Sequence, residues 1–268
     1  MIVNQKTIVL TGAGSGMGRE MALLLLKKGA NVAGVDIHPD ALAETQRLGG
    51  VDDSRFKGFV LDITNKEKVD ALPAEVISHF GQVDGLINNA GIIQKFIMVN
   101  ELELSDIERV MNVNFYGPVY FIKAFLPHLL KRPEGHIVNI SSMGGFLPVP
   151  GQTIYGASKA AIKLLTEGLY SELANANVKV TVVFPGAIQT NISENSGLKA
   201  PSAEQAENSK FKALPAQKAA EIIIKGMEEN QFRVTVGPDA GFLDKLYRLA
   251  PKYAANFIRK KMGSLLNQ

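Results

Sequence analysis

A glycine-dense stretch, Thr11-Gly12-Ala13-Gly14-Ser15-Gly16-Met17-Gly18, joins a short apolar run at Thr7–Leu10 to an amphipathic helical pattern over Arg19–Lys28. This junction restricts the fold more than any other feature, because it sends a strand into a helix with almost no connecting chain. A strand that leads into a helix cannot pair with the next strand as a hairpin, so that strand must return parallel to the first. The pattern then repeats along the chain. Candidate strands are Thr7–Leu10, Asn31–Val35, Lys57–Leu61, Gly85–Asn88, His136–Ile140, Lys179–Phe184 and Arg233–Val236. The first helical pattern carries a Met21, Ala22, Leu25, Leu26 stripe and is expected to end at Gly29 as a C-cap. Asp62-Ile63-Thr64 precedes a helix rich in early charge, and Ser105-Asp106-Ile107-Glu108 reads as a capping box. Right-handed crossovers turn this alternation into a single-domain α/β Rossmann fold. Its doubly wound, seven-stranded parallel sheet carries helices on both faces and binds ligands at the carboxyl ends of its strands.

Composition narrows the chemistry. The chain has no cysteine, which excludes disulfides, thiolate metal sites and thiol nucleophiles. His38, His79, His128 and His136 are scattered and none forms a metal-binding pair, so no metal is expected. The first residues lack a signal-peptide pattern and no apolar run is long enough to span a bilayer, which predicts a cytoplasmic protein. From Phe242 onward there are six basic residues against one acidic residue, while the rest of the chain is slightly acidic. Positive charge confined to the tail argues against a nucleic-acid partner.

Two segments stand apart. Residues 191–214 are polar and small, with Ser193, Asn195, Ser196, Gly197, Pro201, Ser202 and Ser209. Their place after the sixth strand suggests a lid within a body of residues 1–241, and a plain surface loop is the competing reading. Residues 242–268 form a basic, amphipathic, helical extension of the same domain. Its stripe is Phe242, Leu243, Leu246, Tyr247, Ala250, Tyr253, Ala254, Phe257, Ile258, Met262 and Leu265. Packing on the body or on a neighbouring subunit is favoured for this stripe, because lysine-rich helix faces are common. Peripheral contact with an anionic membrane is the alternative.

The glycine turn has the makings of a phosphate cradle. Gly12 permits the tight turn, while Gly16 and Gly18 allow close approach of a pyrophosphate and close helix–strand packing. Backbone N–H groups at the helix start would face the phosphates. Asp36 ends the second strand, 18 residues after Gly18, where a carboxylate can accept hydrogen bonds from an adenosine ribose. Its charge repels a 2′-phosphate, and Ser15, Val35, Ile37 and His38 supply no compensating cation, which favours NAD over NADP.

Further along lie Ser142, Tyr155 and Lys159. Tyr155 and Lys159 are four residues apart and share a helix face. An unperturbed tyrosine, with a pKa near ~10, is a poor base at neutral pH, and an adjacent ammonium together with a positive nicotinamide ring favours the phenolate. Ser142 can donate a hydrogen bond to a developing carbonyl oxygen, with Ser141 as its immediate competitor.

These residues, with Asn88-Asn89-Ala90-Gly91, Asn114 in Val113-Asn114-Phe115-Tyr116-Gly117, and Pro185-Gly186 with Thr190, resemble the short-chain dehydrogenase/reductase family. The motifs run in family order from about Thr7 to Val236. The spacing of thirteen residues from Ser142 to Tyr155 matches the family and selects Ser142 over Ser141. The resemblance implies a catalytic set of Asn114, Ser142, Tyr155 and Lys159. It implies that Lys159 also holds the nicotinamide ribose and that Asn114 holds a water linking Lys159 to solvent. Asp62 and Ile63 would hold the adenine, and Asn88 would stabilise the sheet beside the cofactor. Thr190 would bind the nicotinamide carboxamide, and Met17, Ala90, Gly91, Pro185, Gly186 and Ile188 would line the cofactor. Homodimers or homotetramers are common in that family.

Ile92, Ile93, Phe146, Leu147, Val149 and Pro150 flank the catalytic positions, with Gln94 and Gln152 as polar exceptions. They could equally be ordinary packing around the sheet. As a pocket wall they suit a hydrophobic secondary alcohol or ketone of steroid, retinoid or fatty-chain type. A reductase of 3-oxoacyl thioesters and a non-catalytic cofactor sensor are the alternatives. Asp36 counts against the first, and the complete Ser142, Tyr155, Lys159 set counts against the second.

Overall fold

The computed structural model describes residues 1–198 and 213–263. In chain order the elements are β1 (Thr7–Thr11), α1 (Gly16–Lys27), β2 (Asn31–Asp36), α2 (Pro39–Gly49), β3 (Phe56–Val60), α3 (Lys66–Phe80) and β4 (Gly85–Asn88). There follow α4 (Leu104–Met111), a π-helical turn (Asn112–Tyr116), α5 (Gly117–Leu129), β5 (Gly135–Ile140), α6 (Thr153–Glu172) and β6 (Val178–Pro185). The chain continues with β7 (Ile188–Gln189), α7 (Ile192–Asn195), β8 (Leu214–Pro215), α8 (Ala216–Glu228), β9 (Arg233–Val236), α9 (Pro238–Leu249) and α10 (Pro251–Met262).

Seven strands form one parallel sheet in the order β3-β2-β1-β4-β5-β6-β9, and β7 pairs with β8 as a two-residue ladder. Each expected strand is present, with ends within a residue or two of the sequence reading. The winding reverses between β1 and β4, which opens a crevice at the carboxyl ends of those two strands. β1 is buried at all five positions, as a central strand covered on both faces must be. One face is covered by α1 and α8, with Met21, Leu25, Ile223, Ile224 and Met227 in its core. The other is covered by α3, α5 and α6, with Leu72, Val76, Phe121, Phe125 and Leu129 buried beneath them. At the opposite edge of the sheet, the fully buried Asp84 fixes the strand register. Its carboxylate accepts the Thr7 N–H at 2.9 Å and pairs with Arg132 at 2.8 Å.

Gly29 adopts φ 90° one residue beyond the cap of α1, and its N–H bonds to Leu26 O. The capping box expected at Ser105 does not form. α4 starts two residues earlier, with Glu103 as N-cap, and the N–H groups of Asp106 and Ile107 bond to the Glu103 carbonyl. Ser105 therefore lies inside the first turn, where its hydroxyl cannot serve as the cap.

The tail stripe divides between α9 and α10. Leu243, Ala254 and Ile258 are buried against Leu147, with Met143, Phe146 and Val149 alongside. Phe242 and Tyr253 point outward instead, 60% and 63% exposed, so they do not belong to the packed stripe. Leu265 lies outside the described residues.

Candidate active site

The cradle is built at the end of β1. Gly12 turns with φ 69°, and the N–H groups of Gly12 and Ala13 bond to Val35 O at 2.8 and 3.2 Å. Gly18 is the tightest point, where a Cβ would lie 1.8 Å from Gly12 O. Ser15 sits at the N-cap of α1 without a side-chain cap bond, which leaves the first-turn N–H groups without a capping side chain. Met17 packs half-buried on the core beneath. Two residues overlooked in the sequence hold this turn to β4. Thr11 Oγ1 accepts the N–H groups of Asn89 and Ala90 at 2.9 and 3.0 Å, and Asn89 Nδ2 donates to Thr11 O at 3.0 Å. Their signal was adjacency, since one precedes Gly12 and the other follows Asn88.

Asp36 lies at the end of β2 as expected. Its Oδ2 accepts the Gly14 N–H at 2.9 Å, and its Oδ1 accepts the His38 N–H at 3.1 Å. Arg19, also missed in the sequence, reaches the same turn. Its guanidinium donates to Gly14 O and to Thr45 Oγ1, so this cation braces the turn against α2. Asp62 is exposed and accepts the Thr64 N–H and hydroxyl at 2.9 and 2.8 Å, while Asn65 caps α3. Ile63 packs against Gly117, where a Cβ would lie 2.8 Å from Ile63 Cδ1. Asn88 is buried and donates to Asn139 Oδ1 at 2.8 Å, linking β4 to β5, and its own Oδ1 has no partner.

At the end of β5 the two serines separate. The buried Ser141 donates its hydroxyl to Lys159 O at 2.7 Å. Ser142 Oγ instead accepts the Gly144 N–H at 3.0 Å, which leaves its own proton to donate elsewhere. A Cβ on Gly144 would lie 3.4 Å from Tyr155 Cε1 and 3.5 Å from Ser142 Oγ, so hydroxyl and ring flank the same glycine. Lys159, one turn along α6, is buried. Its Nζ donates to Ile140 O at 3.0 Å and lies 5.9 Å from the centre of the Tyr155 ring.

Burial pulls the Lys159 ammonium down to about 8. Burial also pushes the Tyr155 phenol above its ordinary value, and a hydrogen bond with Ser142 partly offsets this. This direction belongs to the protein alone, whereas the sequence expectation counted a nicotinamide ring beside the ammonium. Desolvation of the phenolate outweighs a lysine whose ammonium is aimed at a main-chain carbonyl.

Asn114 occupies the π-helical turn. Its carboxamide pairs in both directions with Ile92 at 2.9 Å and donates to Ser158 Oγ at 3.1 Å. Gly91 is a close approach, since a Cβ there would lie 3.1 Å from both Asn114 Oδ1 and Lys159 Nζ. At the end of β6, the Gly186 N–H bonds to Val236 O at 2.9 Å, and Asp239 of α9 accepts the Ala187 N–H at 2.9 Å. Pro185 closes β6, Ile188 lies in the β7–β8 ladder, and Thr190 sits across the glycine turn, 3.3 Å from where a Cβ on Gly16 would be. The segment expected as a lid begins with α7. Asn195 Nδ2 donates to Ser15 Oγ at 2.9 Å, and Ser196 Oγ accepts the Ile93 N–H at 2.9 Å. Residues 199–212 of that segment lie outside the described residues.

The expected apolar wall is largely committed elsewhere, because Phe146, Leu147 and Val149 pack against the tail helices. A cavity of about 1170 Å³ beside α6 is lined by these three residues with Tyr247 and Pro251, and not by Ser142, Tyr155 or Lys159. Gln94 and Gln152 are both buried.

Residues 6–200 match the family model for short chain dehydrogenases. The chain is 41% identical over 250 residues to SadH of Mycobacterium tuberculosis, covering 91% of this chain and 90% of that protein. Among solved structures it is similar to a short-chain dehydrogenase/reductase from Burkholderia phymatum in complex with NAD. That match has a TM-score of 0.84 and 28% identity, and covers 94% and 96% of the two chains. A short-chain dehydrogenase from Burkholderia cenocepacia in complex with NADP gives a TM-score of 0.80 at 25% identity, covering 96% and 99%. The chain belongs to the short-chain dehydrogenase family.

Proposed function

We propose that this protein moves a hydride between NAD(H) and a hydrophobic secondary alcohol or ketone, with Tyr155 moving the proton. The observation that carries this reading is the placement of Ser142 Oγ and the Tyr155 ring against the same glycine, one helical turn from a buried Lys159. The cradle suits the dinucleotide. Gly18 lets the start of α1 press against the turn, since a Cβ there would lie 1.8 Å from Gly12 O, and the first turn of α1 has no side-chain cap. Gly12, Ser15, Gly16, Met17 and Gly18 would hold the pyrophosphate, with Asp36 at the adenosine ribose and Asp62 and Ile63 at the adenine. Asn88, Ala90 and Gly91 would flank the middle of the cofactor. Pro185, Gly186, Ile188 and Thr190 would meet its nicotinamide end.

NAD supplies the hydride acceptor when bound. In oxidation Tyr155 takes the alcohol proton, and in reduction it returns the proton. Ser142 would turn its hydroxyl hydrogen, shared with Tyr155 in the protein alone, to the substrate oxygen and fix its direction. Lys159, as an ammonium, favours the phenolate and steadies the ribose. Asn114 braces the chain at Ile92 through its carboxamide and would hold a water linking Lys159 to solvent. Half-buried Ile93, next to Ile92 on the segment that contacts Asn114, is the apolar side chain in keeping with a substrate of steroid, retinoid or fatty-chain type.

Purified protein offered a panel of apolar secondary alcohols with NAD or NADP tests the reading. NADH should form, and NADP should be used at least ~10-fold less efficiently, because Asp36 faces its extra phosphate. Turnover with NADP alone would remove the Asp36 argument, and silence with both cofactors would remove the dehydrogenase reading.

The subunits are proposed to pair through the α5–α6 face as a homodimer or homotetramer. Leu130 and Leu164 are 46% and 68% exposed there, beside an apolar groove of about 440 Å³ that includes Leu126 and Leu165. Light scattering should give two or four subunits, and Leu164→Glu should reduce that number. A monomeric wild type would end this assignment.

A further inference from the structure

The first turn of the catalytic helix is held from a distance. α6 begins at Thr153, and its N-cap, Gln152, makes no side-chain cap bond. Helix starts leave N–H groups that need acceptors. Here the acceptor is Gln94, whose Oε1 takes the N–H groups of both Ile154 and Tyr155 at 2.8 Å. Gln94 Nε2 donates to Gly151 O at 3.0 Å, and Gln94 O accepts from Gln152 Nε2 at 2.8 Å. Gln94 is only 3% exposed, so water does not compete for these bonds.

Gln94 also ends a four-residue strap that touches the rest of the proton-transfer set. Gly91 lies against Asn114 Oδ1 and Lys159 Nζ, and Ile92 pairs in both directions with the Asn114 carboxamide. The Ile93 N–H is held by Ser196. The strap therefore ties the first turn of α6, which carries Tyr155, to Asn114 and to the surroundings of the Lys159 ammonium.

We infer that Gln94 is a positioning residue for Tyr155, aiming its phenol by anchoring its backbone N–H. The inference rests on Tyr155 being the proton-transfer group. A misplacement of about 1 Å at a reacting group can cost about 100-fold in rate. No local sequence pattern marks this role, because the bond to Tyr155 spans 61 residues.

A double-mutant cycle tests it, using one alcohol turned over by the wild type. The set is wild type, Gln94→Leu, Tyr155→Phe and the double variant. Gln94→Leu should lower kcat about 10- to 100-fold while leaving KM and NAD affinity within about twofold. In the Tyr155→Phe background the same change should cost less than about twofold, since two residues acting through one group are not additive. Gln94→Asn, one methylene shorter but still polar, should behave in the same way and serves if the leucine variant does not fold. Gln94→Glu, which keeps an oxygen for both N–H groups, should recover part of the lost kcat. Wild-type kcat in Gln94→Leu or Gln94→Asn would overturn the inference. So would an equal loss with and without the Tyr155 hydroxyl, which is what a merely structural residue would give. Full activity of Tyr155→Phe alone would sink the Tyr155 reading itself, a different outcome.

Discussion

Tyr155→Phe lowers kcat for alcohol oxidation by about 10²–10⁴-fold, the usual contribution of a positioned acid–base group. That factor corresponds to roughly 3–5 kcal/mol at the transition state. The substitution keeps the ring beside Gly144 and removes only the hydroxyl, so packing and NAD affinity should hold. The pH profile gives a second signature. Burial favours the neutral phenol of Tyr155, so wild-type oxidation should accelerate as rising pH makes the phenolate. Reduction, which needs the protonated phenol, should slow over the same range. The phenylalanine variant should lose both slopes. Steady-state kinetics across pH in both directions measures this, and a variant that keeps the wild-type profile would assign the proton transfer to another group.

Gly18→Val is expected to have the second large effect, on the cofactor instead of the proton. A Cβ at this position would lie 1.8 Å from Gly12 O and 2.7 Å from Asn89 Nδ2. Carbon and oxygen normally approach no closer than about 3.3 Å, so either the turn or the start of α1 must shift by more than an ångström. The shift would disturb the N–H groups proposed to hold the pyrophosphate, and NAD should bind about 100-fold more weakly, or not measurably. Overpacking of this kind also costs about 1–3 kcal/mol of stability, read from denaturant unfolding. Gly168→Ala is the control. It lies within α6, and a Cβ there meets no atom within 4 Å, so NAD affinity should stay unchanged. Equal NAD affinity in Gly18→Val and wild type would place the cofactor elsewhere.

The architecture was legible because it depends on local signals that survive into the tertiary structure. Short β-branched runs became the central strands, and the glycine turn fixed the first crossover. Helix starts were harder to read. A helix can start ahead of a capping pattern such as that at Ser105, and α4 begins two residues earlier, after Glu103. The tail stripe divides, with Phe242 and Tyr253 exposed while Leu243, Ala254 and Ile258 are buried, because periodicity identifies a face without saying how much of it the body covers.

In the site, the choice of Ser142 agrees with the bond that ties Ser141 to Lys159 O. The missed residues share one cause. Thr11, Asn89, Arg19 and Gln94 act through bonds to distant or main-chain atoms, and such partners exist only once the chain has folded. The part Lys159 plays at Tyr155 was hard to read for a related reason. Spacing places a lysine near a tyrosine, but burial and the aim of the ammonium are properties of the fold.

The most direct measurement uses an alcohol carrying deuterium on its carbinol carbon, with NAD and the purified protein, and follows the label by mass spectrometry. Hydride transfer aided by Tyr155 predicts one deuterium on the reduced nicotinamide for each ketone formed, at a rate lost in Tyr155→Phe. Reduced nicotinamide without the label, or label transfer undiminished in Tyr155→Phe, would contradict it.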